Sequence, residues 1–99
     1  MSYELVFHEA ALKEWKKLGA SVKAQFKKQL AKRLENPHVP SAKLRGRDMK
    51  NVYKIKLRDA GYRLVYEVDD RTITVLVLAI GRRDKSEAYR LATMRNRAS

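Results

Sequence analysis

The sequence predicts an α+β protein with the element order β-α-α-β-β-β-α, in which a twisted, largely antiparallel sheet packs against a helical hairpin. Three observations carry that expectation. Apolar residues recur at three- and four-residue steps in the first third of the chain. Two consecutive stretches after residue 51 alternate apolar and polar residues around a short Asp59-Ala60-Gly61 turn. A long β-branched run then follows, as expected of a strand covered on both sides. With 99 residues, there is room for one compact core, so a single domain spanning 1–99 is expected. A composition of 44% hydrophobic and 34% charged residues suits a folded chain rather than a disordered one.

The elements follow in order. Tyr3, Leu5 and Phe7 alternate with Glu4 and Val6, a short strand. From Glu9 to Leu18 the pattern is helical, with Leu12 and Trp15 flanked by Ala11 and Leu18. Gly19 stops this helix, and Ser21 is expected to cap a second one running to Glu35. Val22, Phe26, Leu30 and Leu34 form its apolar stripe, and Lys23, Lys27, Lys28 and Lys32 its solvated face. The short Gly19-Ala20 joint predicts an antiparallel helix pair. Asn36-Pro37 ends the second helix, because a residue before proline avoids the α region. Residues 38–51 are polar and irregular, with a basic Lys43-Leu44-Arg45-Gly46-Arg47 cluster. Strands are expected at Val52–Arg58 and Tyr62–Val68, then, after Asp69-Asp70, at Thr72–Ile80, with Gly81 as its end. Ser86 is placed as the cap of a last helix, Glu87–Arg95, that carries Tyr89, Leu91 and Ala92.

The charge narrows the function. Lys and Arg number 23 against 11 Asp and Glu, a net +12. Such a surface predicts a polyanionic partner. The excess is greatest over residues 36–66, with eight cationic and two acidic side chains. There is no cysteine, which removes disulfides, thiolate zinc sites and thiol catalysis and fits a cytoplasmic location. No apolar run is long enough to cross a membrane, and Met1-Ser2-Tyr3-Glu4 has no signal-peptide character. His8 and His38 lack ligand spacing, and there is no paired-carboxylate site, phosphate loop or metal set, so no cofactor or metal is expected.

The hairpin register concentrates cations. With Asp59 and Ala60 in the turn, Leu57 faces Tyr62, Lys56 faces Arg63 and Ile55 faces Leu64. A one-residue slip would mix the apolar and polar faces. Lys54, Lys56 and Arg63 then share one face, with two like charges directly opposed, an arrangement that destabilises a sheet. A solvated outer face is the plain explanation for cationic strand residues. The opposed pair, the basic loop before it and the total charge favour an anion site. Arg82, Arg83 and Lys85 follow the central strand and can reach the same face. Tyr89 is either a packing aromatic or a platform for an unpaired base.

Four segments resemble the RelE family of bacterial toxins: ALKEWKKLG at Ala11–Gly19, KLRG at Lys43–Gly46, YKIKLRDAGYRLVY at Tyr53–Tyr66 and GRRDKSEAY at Gly81–Tyr89. The resemblance extends in order from residue 3 to residue 90. It departs at Arg47–Val52, which looks about two residues longer than in the best-known member, and in the tail after Leu91. It implies a RelE-like microbial ribonuclease fold and a ribosome-dependent endoribonuclease that cleaves mRNA in the ribosomal A site. The implied partners are a RelB-like cognate antitoxin, the ribosome and, only through the antitoxin complex, operator DNA that the complex represses. The family's functional positions fall on Lys54, Lys56, Arg63, Arg83 and Tyr89. Arg45 matches a further basic position, and Lys43 and Arg82 are placed with it as RNA- or ribosome-binding.

These residue types suit cleavage by the RNA's own 2′-hydroxyl, which needs a base, charge stabilisation at phosphorus and a proton for the leaving oxygen. Lys56 is expected as the base with Lys54 assisting, neighbouring cations favouring its neutral form. Arg63 stabilises charge on the phosphate. Arg83 lies by the leaving oxygen, although arginine is a poor proton donor at neutral pH. Tyr89 stacks on a base. The expected products are a 2′,3′-cyclic phosphate and a 5′-hydroxyl. The alternatives are a non-enzymatic gyrase inhibitor of the ParE branch and a plain RNA-binding module.

Overall fold

In a computed structural model the described residues are 2–46, 49–82 and 87–98. Eight-residue α1 (Glu9–Lys16) and sixteen-residue α2 (Ala20–Glu35) follow strand β1 (Glu4–Phe7). After a single 3-10 turn at Pro40–Ala42 come β2 (Val52–Leu57), β3 (Tyr62–Asp69) and β4 (Thr74–Arg82), and α3 (Glu87–Ala98) is last. The expected element order is therefore present. The sheet runs β1-β4-β3-β2, antiparallel except where β1 pairs in parallel with β4.

The β2–β3 register is the expected one, with Lys56 opposite Arg63 and Leu57 opposite Tyr62. On one face Tyr53, Ile55, Leu57, Leu64, Tyr66, Val68, Val75, Val77 and Ile80 pack against Ala11, Trp15, Phe26 and Leu30 of α1 and α2. Trp15 is a packing residue, its ring 5.4 Å from Phe7 and 6.3 Å from Phe26. Burying this stripe on both sides of the layer is the main stabilising contribution, at roughly 25 cal/mol per Å² of apolar surface.

The opposite face has a second core. Met49, Val52, Val65, Leu78 and Ala79 are covered by Ala88 and Ala92 of α3, with Leu91 and Tyr89 at its border. The sheet is thus enclosed between the helix pair and α3. A register shift between Val65 and Tyr66 accommodates one extra residue in β4, so that Val77 faces α1 and α2 while Leu78 and Ala79 both contribute to the α3 side.

Local differences from expectation have physical reasons. His8 caps α1, its Nδ1 accepting from Ala10 N at 3.1 Å. Helix α1 stops at Lys16, because Lys17 and Leu18 turn back onto Glu14 O and Trp15 O. Ser21 does not cap α2: Gly19 holds that position with extended backbone and no side-chain bond. Gly81 does not end β4, since it pairs with Arg63 and the strand continues to Arg82. Ser86, the expected cap of α3, lies outside the described residues.

Strand β1 ends at Phe7 opposite Val77, which leaves the following backbone of β4 without a strand neighbour on that side. Side chains close this edge. Glu14 Oε1 accepts from Ile80 N at 3.0 Å, and Arg95 Nη1 donates to Leu78 O at 2.7 Å. Arg95 also grips both Glu14 carboxylate oxygens, at 2.9 and 3.0 Å. One ion pair therefore seals the edge and ties α3 to α1.

Candidate active site

Period-2 alternation puts Lys54 and Lys56 beside Val52, on the α3 side of the sheet, and puts Arg63 beside Val65. Arg63 lies between Lys56 on one neighbouring strand and Gly81 on the other. Gly81 has no side chain to set against Arg63. Helix α3 enters at this end of the face. Its small residues Ala88 and Ala92 meet Ala79 and bring the helix close to the sheet, and Tyr89 is thereby carried against Arg63.

The Arg63 guanidinium carbon lies 4.6 Å from the Tyr89 ring centroid, within cation–π range. Yet Arg63 Nε and the Tyr89 hydroxyl are both buried without a hydrogen-bond partner. Each such group costs about 1–3 kcal/mol when it leaves water unpaired. Among the described residues these are the buried side-chain N and O atoms so placed, and they belong to two side chains in contact. Burial raises the Tyr89 pKa, with Arg63 opposing the shift, so its hydroxyl keeps its proton and acts as a donor rather than a base. Both atoms are closed off from solvent, whereas Lys56, opposite Arg63 on the neighbouring strand, is exposed.

The structure brings together Lys54, Lys56, Arg63 and Tyr89 of the expected set. Arg83 lies outside the described residues. Arg45 is exposed in the loop before β2. Lys43 serves that loop: its Nζ donates to Leu44 O at 2.8 Å and to Met49 O, and it lies 5.8 Å from the centroid of the Tyr53 ring, which belongs to the helix-pair face. Arg82 is exposed at the end of β4, over the Tyr62 ring.

Arg33 was absent from the sequence expectation. Its Nη1 donates to Tyr66 OH at 2.8 Å and to Lys54 O at 3.1 Å, and Tyr66 OH donates to Pro37 O at 2.8 Å. The end of α2 is thus tied to the strand that carries Lys54. A lone cation among helix lysines gave no sign of this.

Residues 5–87 match the family described as ParE toxin of the type II toxin-antitoxin system, parDE. Over 95 residues the chain is 52% identical to the mRNA interferase toxin RelE of Escherichia coli, covering 96% of this chain and 98% of that protein. The chain belongs to the RelE family of toxins. A free-state structure of an E. coli RelE mutant shares the fold at a TM-score of 0.87 and 50% identity, over 96% of this chain and 98% of that one. RelE in the intact E. coli RelBE toxin-antitoxin complex matches at 0.78 and 52% identity, over 82% of this chain and 96% of that one. The free-state match covers nearly the whole chain, so the cationic face stands on a fold shared with RelE.

Proposed function

We propose that this protein is an endoribonuclease toxin that cleaves mRNA in the ribosomal A site and is held inactive by a RelB-like antitoxin. The observation that carries this reading is the cluster of Lys54, Lys56 and Arg63 on one face of the sheet, with the Tyr89 ring against the Arg63 guanidinium. Its relative RelE is an mRNA interferase, which supports the same chemistry, and the RelBE complex supports the antitoxin as partner.

In this reading Lys56 takes the proton of the 2′-hydroxyl, with Lys54 beside it. Arg63 stabilises the charge that develops on the phosphate. Tyr89 offers a ring for stacking on a base. Arg83 stabilises the leaving 5′-oxygen, which takes its proton from water, and the proton held by Lys56 returns to solvent. The products are a 2′,3′-cyclic phosphate and a 5′-hydroxyl, and no metal or cofactor takes part. The described part of this site has no histidine or carboxylate for efficient proton transfer, so positioning of the message must supply much of the rate. That makes the ribosome a part of the catalyst and places the reaction in the cytoplasm. Operator DNA is met only through the antitoxin complex.

Cleavage mapping on a defined mRNA, free and on ribosomes with an empty A site, is the test. Cuts confined to the A-site codon, with cyclic phosphate ends, are expected. The family description ParE keeps one other reading in play, a gyrase inhibitor. Loss of gyrase supercoiling at toxin concentrations that leave ribosome-bound message intact would replace the nuclease reading with that one.

A further inference from the structure

A second cationic feature lies on the outer edge of β2, around the strand from the Arg63–Tyr89 pair. It is a cleft of about 380 Å³ lined by Arg33, Ser41, Ala42, Lys54, Lys56 and Arg58. Four of the six are cations, and no carboxylate is among these described lining residues. They come from three separate parts of the chain: the last turn of α2, the 3-10 turn and the β2 strand with its following turn. Convergence from three elements differs from a run of lysines on one helix face.

One of the four is fixed in place. Arg33 is half-buried, and its Nη1 is held by Tyr66 OH and Lys54 O while its guanidinium carbon lies 5.7 Å from the Tyr66 ring centroid. A guanidinium anchored in this way loses little side-chain freedom when it takes a further oxyanion. Ser41 is exposed at the rim and supplies a hydroxyl. Lys54 and Lys56 line this cleft and also belong to the α3-side face, so the positive surface continues around the strand edge.

We infer that this cleft is a second phosphate subsite, which holds a backbone phosphate of RNA other than the one being cleaved. The inference rests on the proposed nuclease reading for its choice of RNA. Arg33 and Arg58 grip the phosphate, Ser41 donates to it, and Lys54 and Lys56 connect it to the reacting centre. The phosphate belongs either to the message or to ribosomal RNA, and the chemistry is the same for both.

The test uses Ser41→Glu and Arg58→Glu, both at exposed positions, with circular dichroism and thermal melting to confirm folding. Arg33→Lys is the third variant: it keeps the charge and removes the fork. The probe is a ribosome with an empty A site, carrying an mRNA that bears a 2′-deoxy nucleotide at the cut site. Each Glu variant is expected to weaken binding about tenfold and to lower the slope of log affinity against log salt by about one. With cleavable mRNA, the loss in half-saturating concentration should exceed the loss in single-turnover rate. A neutral methylphosphonate at a message phosphate flanking the cut, if it abolishes the difference between wild type and variant, assigns the phosphate to mRNA. If no message position does so, it assigns the phosphate to ribosomal RNA. Wild-type affinity and salt slope in folded Glu variants would overturn the inference, as would an effect confined to an acidic antitoxin peptide. Failure of the nuclease reading is distinct, because wild-type protein would then leave ribosome-bound mRNA uncut while the binding comparison still reports on the cleft.

Discussion

Arg63 is held where it is unfavourable for folding and where the proposed reaction needs it. It faces Lys56 across the strand pair and has a buried Nε with no partner. Arg63→Gln should therefore leave the melting temperature unchanged or raise it, while single-turnover cleavage on ribosomes falls about 10²-fold or more. A melting temperature several degrees lower with cleavage intact would reverse this assignment. Glu67 presents a milder conflict. Burial, with Asp69 adding to it, raises its pKa, so the fold prefers the neutral acid. The resulting penalty grows as pH rises from the unfolded carboxylate value through the higher folded value, and is complete above it. Glu67→Gln should stabilise the protein at neutral pH and lose that advantage on acidification through the same range, read from urea midpoints at several pH values. The opposition of Lys56 and Arg63 was legible in the sequence, because strand alternation and a short turn fix a hairpin register. The Arg63–Tyr89 contact was not, since the residues between them include a loop and a change of element.

At the level of elements, two polar ties decide how the helices sit. Tyr66 OH is bonded by Arg33 and bonds Pro37 O. Tyr66→Phe strands both partners and should cost about 1–3 kcal/mol in denaturant unfolding. An unchanged midpoint would show that the end of α2 needs no such tie. The Glu14–Arg95 pair holds the open edge of β4 and the far part of α3. Glu14→Gln should cost about 1–2 kcal/mol and speed amide exchange at Ile80 and along α3, with the β2–β3 hairpin unaffected. Uniform exchange changes would contradict this local role. The position of α3 was hard to anticipate. Its contact residues are Ala88 and Ala92, which add little to an apolar pattern, and Arg95 meets Glu14 across 81 residues of sequence. The signal that was present, Val52 and Val65 on an otherwise charged strand face, marks a covered second face. The element order and most of the α2 stripe, with Phe26 and Leu30 buried, were readable because they rest on long periodic stretches, whereas Leu12, expected on the apolar face of α1, is exposed.

The molecule as a whole carries +12 charge on 99 residues. Among the described residues no helix is long and apolar enough to cross a membrane. Association with ribosomes should weaken steeply with salt, giving a straight line of negative slope in a log–log plot. A flat line would mean that contacts other than phosphate dominate. The total charge was evident from composition, but its distribution was not, because Arg33 reaches the β2 edge only through the folded packing of α2. The parallel pairing of β1 with β4 has a further consequence, for the order in which the protein can be made. Glu4 to Phe7 find their partners at Thr74 to Val77, and the Tyr89 ring arrives later still. During synthesis the first strand must wait for most of the chain to emerge. A nascent chain therefore has no assembled cationic site until α3 has left the exit tunnel. The ribosome that makes the protein completes β4 and Tyr89 before there is anything to turn against its own message.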